Sequence, residues 1–382
     1  MIDNKENTDL YQEIPVEKED EGSGSELMRE PFNPSLINIK REFPTISNLV
    51  DMLKQSPSEI DLNTEFQRSG DLWSKVQQSR LIESILVKFP LPSFYFDAGD
   101  ENQNKWLVVD GLQRLNCFQK FIVDETLPLT GLEFLKNLNG KHYSDLDRPL
   151  RRIIDQTQVT AYIINPGTPI NVKYNIFKRI NTGGLILEPQ EIRHALYQGI
   201  PSTFINELAT LKEFKHATDR KISSQRMLDR EFVNRFVAFF ITPPKDYVPD
   251  LDSFLNDSME KIAAKTADER NLIKESFRKS MAASTHIFGN WNFRKADLYP
   301  ERRKPINKSI FEIWAVALAK LSDNERELLI EKKDLVLNKF ANLCKTDQGF
   351  ISSVSQTTGD KGRVMNRFSK VQQLIKEVID FK

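Results

Sequence analysis

The residues best placed to do chemistry are Asp110, Gly111, Gln113 and Arg114, in the stretch Val108–Leu115, VVDGLQRL. An apolar run feeds straight into Asp-Gly, and Leu115, Phe118 and Ile122 then recur at helical spacing, so the Asp-Gly pair falls where a strand ends and a helix begins. The first N–H groups of a helix lack intrahelical partners and carry the positive end of its dipole, so such a junction binds phosphate when the approach is open. Gly111 opens the approach, Arg114 offers a planar fork of donors and Gln113 an amide. Asp110 is the odd member. Beside an anion, a carboxylate must cap the helix, pair with an arginine, or hold a divalent cation that bridges to the phosphates. The plain alternative is a simple Asp-Gly turn with Gln113 and Arg114 in water. Helical spacing turns Arg114 away from Leu115 and Phe118, so the anion-site reading expects Arg114→Ala to weaken ligand binding and leave the fold intact.

Several elements must position these residues. The β-type runs SFYFD and KWLVV flank the turn-rich AGDENQN (Ala98–Asn104) and read as a hairpin leading into the motif. Upstream, ISNLVDMLKQ reads as a short helix from Ile46 and EIDLNTEFQRS as an extended segment. In WSKVQQSRLIESILVKFP, Ser74 and Gln77 form a capping box. Ile82, Ile85, Leu86 and Phe89 share one helical face, and Pro90 and Pro92 end the helix. Downstream, the strand QVTAYIIN precedes a helix with Thr168 as N-cap and Pro169 as first residue, which stops at INTGG. A further helix runs from near Pro189 to Gly199. Beyond residue 200 the β signal disappears and amphipathic helices follow one another. The fold class expected is α/β (α+β) over residues 36–200, followed by an all-α domain over 201–382. Residues 1–35, acidic and aperiodic with a GSGS spacer, read as a disordered tail.

Composition narrows the partners. Lys plus Arg and Asp plus Glu balance at 54 each, which argues against coating nucleic acid by bulk electrostatics, so any phosphate site is local. Cys117 and Cys344 are far apart and lack metal-type spacing, so they imply neither a disulfide framework nor a zinc site and fit a reducing compartment. Neither a leader-type N-terminus nor a membrane-length apolar run is evident, and a cytoplasmic location is expected. The Walker lysine, G-x-S-x-G and H-E-x-x-H motifs are absent, and His142, His194, His216 and His286 are scattered.

DGLQR in this setting resembles the DGQQR motif of the prokaryotic family named for the N-terminal domain of the GmrSD restriction endonucleases, whose fold is related to ParB and sulfiredoxin. Three further blocks resemble the same family. FQRSGDLWSKVQQSRLIESILVKFPLP matches its Q-R-x-x-x-W element and following helix. FKRINTGGLILEPQEIRHALYQG matches its F-x-R-x-N-T-G-G block, and DREFVNRFVAFF its D-x-E-x-x-x-R-F element. The resemblance implies a ParB-like domain that binds, and in several members hydrolyses, nucleoside triphosphates in defence against foreign or modified DNA. By position, Asp110, Gly111, Gln113 and Arg114 form the phosphate-side motif, with Asp110 the ligand of Mg²⁺. Arg68 approaches the same pocket. Arg179, Asn181, Thr182 and Gly183, with Glu191 and Arg193, close its other wall. Leu112 departs from the motif by replacing its first glutamine, which bears on hydrolysis more than on binding.

The function expected is a nucleotide-binding sensor or regulatory protein of a restriction or anti-phage system, in its enzymatic form a Mg²⁺-dependent nucleoside triphosphatase. Its partners are a nucleotide, DNA weakly or through another protein, and a separate nuclease or modification subunit. The alternative is a non-enzymatic ParB-like DNA-binding module, and a third reading is a structural partner with a vestigial pocket. Each side residue has a plainer reading too. Trp73 packs as core, Asn181–Gly184 is a helix-ending turn, and Asp229, Glu231 and Arg235 form an ion network at a domain interface. The basic run FRKADLYPERRK, ending at Arg302, Arg303 and Lys304, is the local candidate for a nucleic-acid contact.

Overall fold

Five short runs pair edge to edge: β1 (Ile39–Glu42), β2 (Ile60–Asp61), β3 (Phe94–Asp97), β4 (Trp106–Asp110) and β5 (Ala161–Ile164). They lie in the order β1-β5-β3-β4-β2. The β1–β5 and β3–β4 pairs are antiparallel and the β3–β5 and β2–β4 pairs parallel. These features come from a computed structural model, which describes residues 16–18, 33–62, 73–99, 105–180, 187–297 and 303–381. The chain divides into two compact units, Phe32–Leu196 and a second built on Tyr197–Lys382.

Alternation along the strands gives the first unit two cores, one on each face of the sheet. Phe94, Phe96, Val108, Ala161 and Ile163 face one core, with Ile46 and Leu49 of α1 (Ile46–Lys54), Ile82 and Ile85 of α2 (Lys75–Leu86), Leu115 and Phe118 of α3 (Leu112–Phe118), and Ile154 of α4 (Arg148–Gln156). Tyr95, Val109 and Ile164 face the other, with Tyr174 and Phe177 of α5 (Ile170–Ile180) and Ile192 of α6 (Pro189–Leu196). The unit is α+β, a mixed sheet between helical layers.

The local signals behave as their chemistry requires, with two exceptions. Ser74 accepts from the Gln77 amide and the Gln77 side chain accepts from Ser74 N, so the capping box opens α2. Trp73 packs against the first core. Phe89, expected on the buried face of α2, is 53% exposed, because Phe89 N bonds to Ser84 O and Lys88 N to Ile85 O, which ends the helix before Phe89. Thr168 precedes α5 as expected, but its buried hydroxyl finds no partner among the described residues and does not cap the helix.

The second unit contains α7 (Ile200–Thr210), α8 (Lys212–Ala217), α9 (Leu228–Ile241), α10 (Leu251–Ala264), α11 (Ala267–Phe288), α12 (Lys308–Lys320), α13 (Asp323–Glu331), α14 (Lys333–Thr346), α15 (Gln348–Ser355) and α16 (Lys361–Asp380). Val16–Lys18, within the expected N-terminal tail, belong to this unit. Val16 pairs with Ile306, Glu17 N donates to Ile306 O, and the Glu17 carboxylate meets Lys295 at 2.6 Å and the Asn307 amide at 3.1 Å. Among the described residues, no helix is long and apolar enough to cross a membrane.

Candidate functional site

The end of β4 is bulged. Val108 stands opposite Phe96 and Asp110 opposite Tyr95, so two steps on β4 match one on β3. A bulge of this kind re-aims the side chain that follows it. Here it sets Asp110 beside the Tyr95 ring. Burial raises the Tyr95 phenol above its ordinary value, the neighbouring Tyr162 and Asp110 raise it further, and Arg114 opposes them.

Gly111 then turns the chain with φ +107°, in the left-handed half of the map that side chains avoid. A Cβ there would lie 2.4 Å from Cδ1 of Phe94, so the glycine is required both by its dihedral and by the ring packed against it. α3 follows, with Leu115 N donating to Gly111 O.

Arg114 does not stand in the open, and the expectation that its loss leaves the fold unstrained is corrected. It is 6% exposed, and its guanidinium lies 4.3 Å over the Phe94 ring. One terminal nitrogen donates to Pro92 O, and the other donates to Ser93 O at 3.0 Å and to Asp110 Oδ2 at 3.1 Å. Burial draws the guanidinium below its ordinary value, and Asp110 and Tyr95 oppose that. Arg114 is therefore a brace between the start of β3 and the end of β4. Its partners differ from those the phosphate reading gave it.

The brace holds only one oxygen of Asp110. The Asp110 side chain is one-third exposed, and Oδ1 makes no hydrogen bond or ion pair with any described residue. Gln113, half-buried one residue before the brace, likewise has no partner for its amide among the described residues. Leu112 is buried in the first core, which explains an apolar residue at that place in the motif: its side chain serves packing.

The remaining expected site residues divide by location. Arg193 and Glu191 lie on α6 and are buried. Arg193 sits 5.3 Å from the Tyr174 ring and donates to the Tyr174 hydroxyl at 3.3 Å, while the Glu191 carboxylate accepts from Glu188 N at 2.7 Å. Tyr174 and Ile192 share the core that Val109 and Tyr95 enter, so this cluster covers the same sheet face as the Asp110 end of β4. Arg179 is exposed in the last turn of α5. Arg68, Asn181, Thr182 and Gly183 lie outside the described residues.

Sequence reasoning missed three buried charges in this unit. Lys173 of α5 pairs with Asp97 at the end of β3, with Nζ to oxygen distances of 2.7 and 3.0 Å. A lysine among the apolar positions of α5 was the available signal. Glu83 of α2 accepts from the backbone amides of Glu133, Phe134 and Leu135, at 3.0, 2.7 and 2.8 Å. Burial alone would raise its carboxyl, but these three amides and Arg80 together hold it below its ordinary range.

In the helical unit, Glu231 pairs with Arg235 at 3.2 Å and Lys308 at 2.9 Å, Arg235 reaches Glu312 at 3.5 Å, and Arg367 pairs with Glu312. The expected domain-interface network is thus internal to the helices, with Arg367 and Glu312 fully buried. Asp229 uses its carboxylate on Arg230 N, and burial raises its carboxyl. The basic run is also largely spent on structure. Arg294 is buried, donates to Lys304 O and pairs with Asp219, which Arg303 meets at 2.6 Å. Arg302 lies outside the described residues. Cys117 and Cys344 are both free, and burial pushes the Cys344 thiol up to about 12.

An α+β domain with a bulged strand end, a glycine turn and an arginine-braced aspartate defines the class of this first unit. Residues 46–198 match the family described as GmrSD restriction endonuclease, N-terminal domain, and the chain carries a domain of that family over this segment. No curated protein and no solved structure matches the chain.

Proposed function

We propose that residues 46–198 form the nucleotide-sensing domain of a prokaryotic restriction or anti-phage system, ParB/sulfiredoxin-like in fold, which takes a nucleoside triphosphate with Mg²⁺ at the β4–α3 junction. The observation that carries this reading is the pair of uncommitted polar groups at the bulged strand end, Asp110 Oδ1 and the Gln113 amide, beside an arginine that fixes the carboxylate. Mg²⁺ keeps several waters and is held by one or two carboxylates together with substrate phosphates, so it needs no protein cage. That donor set fits Asp110. Among the described residues no cluster of three His, Cys, Asp or Glu side chains is present that would suit a cation needing more protein ligands.

In this reading Asp110 holds the cation and Gln113 donates to a phosphate oxygen. Arg114 acts through Asp110: by holding Oδ2 it fixes where Oδ1 points. Arg68, Asn181, Thr182 and Gly183 supply the opposite wall by their place in the family motif, and Arg179 adds a cation at the end of α5. With Leu112 committed to the core, the motif lacks its first amide, and the reading favours nucleotide binding as a signal over rapid turnover. Bound nucleotide then biases the protein between states that a nuclease or modification subunit reads.

The test is thermal. A ligand that binds only the folded state adds about 2.7 kcal/mol at a hundredfold excess over its Kd. Millimolar Mg²⁺-nucleotide should raise the melting temperature of the parent protein and not that of Asp110→Asn. A full nucleotide panel without any shift overturns the reading.

A further inference from the structure

A cleft of about 650 Å³ lies between the end of α2 and the outer face of α4, away from the β4–α3 junction in sequence and lined by none of its residues. Three cations line it, Lys88, Arg148 and Arg152, together with Gln156, Thr157 and the apolar Ile153. No carboxylate does. Arg148 and Arg152 are four residues apart and so share one helix face, about 6 Å apart along the axis. Arg152 Nε donates to Gln156 Oε1 at 3.1 Å, which leaves the Gln156 amide nitrogen as a further donor. The Thr157 hydroxyl is already spent on Ile153 O.

All three cations are exposed, and none has an acidic partner among the described residues. With no carboxylate in the lining, their charges add rather than cancel. Lys88 carries a second signal. The bonds from Phe89 N to Ser84 O and from Lys88 N to Ile85 O make the end of α2 a Schellman turn, whose left-handed position is usually a glycine. Lys88 occupies it with φ +62°. A strained backbone that keeps a long cationic side chain at the lip of a cleft is the kind of outlier from which a function is inferred.

We propose that this cleft is a second anion site, which grips the phosphodiester backbone of DNA with Lys88, Arg148 and Arg152. The chemistry is that of phosphate positioning: charged donors on rigid helical elements, with no aromatic side chain in the lining to stack on a base. The cleft is open to solvent, as a continuous backbone requires. The choice of DNA as the polyanion rests on the restriction reading above. The cleft's affinity for phosphate does not.

The full chain is titrated with a short labelled DNA duplex across roughly 50 to 200 mM salt. Each neutralised phosphate contributes about 0.9 to the slope of log K against log salt, so three contacts make affinity fall roughly fortyfold over that range. The triple variant Lys88→Gly, Arg148→Gln, Arg152→Gln should bind at least tenfold more weakly at low salt, with a slope smaller by about 2 to 3. Lys88→Gly places glycine where the turn favours it, so a folded variant is expected, and an unchanged melting temperature verifies it. Its Mg²⁺-nucleotide thermal shift should equal that of the parent, which separates this site from Asp110. Unchanged affinity and slope overturn the proposal, as does a parent chain that binds no duplex at low salt. Loss of inorganic triphosphate binding with duplex binding intact overturns the assignment to DNA.

Discussion

Arg114→Ala tests whether the motif arginine braces the fold or faces a ligand. The substitution removes charge-assisted donors from Pro92 O, Ser93 O and Asp110 Oδ2 and uncovers the Phe94 ring. Breaking a buried pair by removing one partner costs about 3 to 5 kcal/mol. Asp110 is one-third exposed and Ser93 only half-buried, so water can replace part of what is lost and the lower end applies, about 3 kcal/mol. For a domain of this size that corresponds to a fall of roughly 6 to 12 °C in melting temperature. Arg114→Lys should recover only part of it, because an ammonium cannot span two carbonyls and a carboxylate as the planar fork does. Calorimetry resolves the effect if each variant is paired with Gln113→Ala, which should melt with the parent and lose the nucleotide-dependent shift. An Arg114→Ala protein that melts with the parent yet no longer responds to nucleotide would show that the guanidinium faces the ligand, and the brace would be refuted.

Gly111→Ala should destabilise the domain by more than about 1 to 2 kcal/mol, the cost of a left-handed side-chain residue, because the methyl also collides with Phe94; chemical denaturation measures it. Phe118→Ala, at a fully buried ring, should cost about 3 to 5 kcal/mol by the same assay. Glu83 has a folded pKa below its ordinary value near 4.5, so its stabilisation is complete above that value and is lost as pH falls through the lower, folded one. Glu83→Gln should therefore flatten the acid limb of the stability profile of residues 46–198 and lower stability at neutral pH. In the helical unit, Glu312→Ala leaves Arg367 and Arg235 without their shared carboxylate and should cost about 3 to 5 kcal/mol, whereas Glu312→Ala with Arg367→Met should recover much of it in a double-mutant cycle.

What was legible in the sequence was local. Ser74 and Gln77 cap α2 because the donor and acceptor lie within one turn, and the runs on either side of Ala98–Asn104 pair because a short turn-rich segment keeps them close in the chain. The alternation of Phe94, Tyr95 and Phe96 likewise sorts side chains between the two cores. Apart from the ends of α2 and α5, the signals that failed are those whose partners lie far along the chain. Arg114 looks solvent-facing by helical spacing, but its acceptors at Pro92 and Ser93 come from 22 and 21 residues upstream. Glu83 reads as a surface carboxylate until amides 50 to 52 residues away close on it. The motif placed Asp110, Gln113 and Arg114 together at the end of β4, while their different environments, with Arg114 held by backbone carbonyls and Asp110, depend on a strand pairing that no local pattern specifies. The basic run failed similarly: Asp219, 75 and 84 residues from Arg294 and Arg303, takes both charges.

The contact between Glu17 and Lys295 spans 278 positions of chain, and it implies an order of assembly. Synthesis runs from the N-terminus, so residues 46–198 are complete before Lys295 exists, and they can fold while Val16–Lys18 still wait for their partners. Closing so long a loop through an unfolded chain is entropically costly and slow. Once the intervening domain has folded, the slack that must be gathered is shorter. The Val16–Ile306 pairing should then be among the last contacts made and the first lost, which amide exchange at Glu17 would register as earlier opening than at the helices beside it.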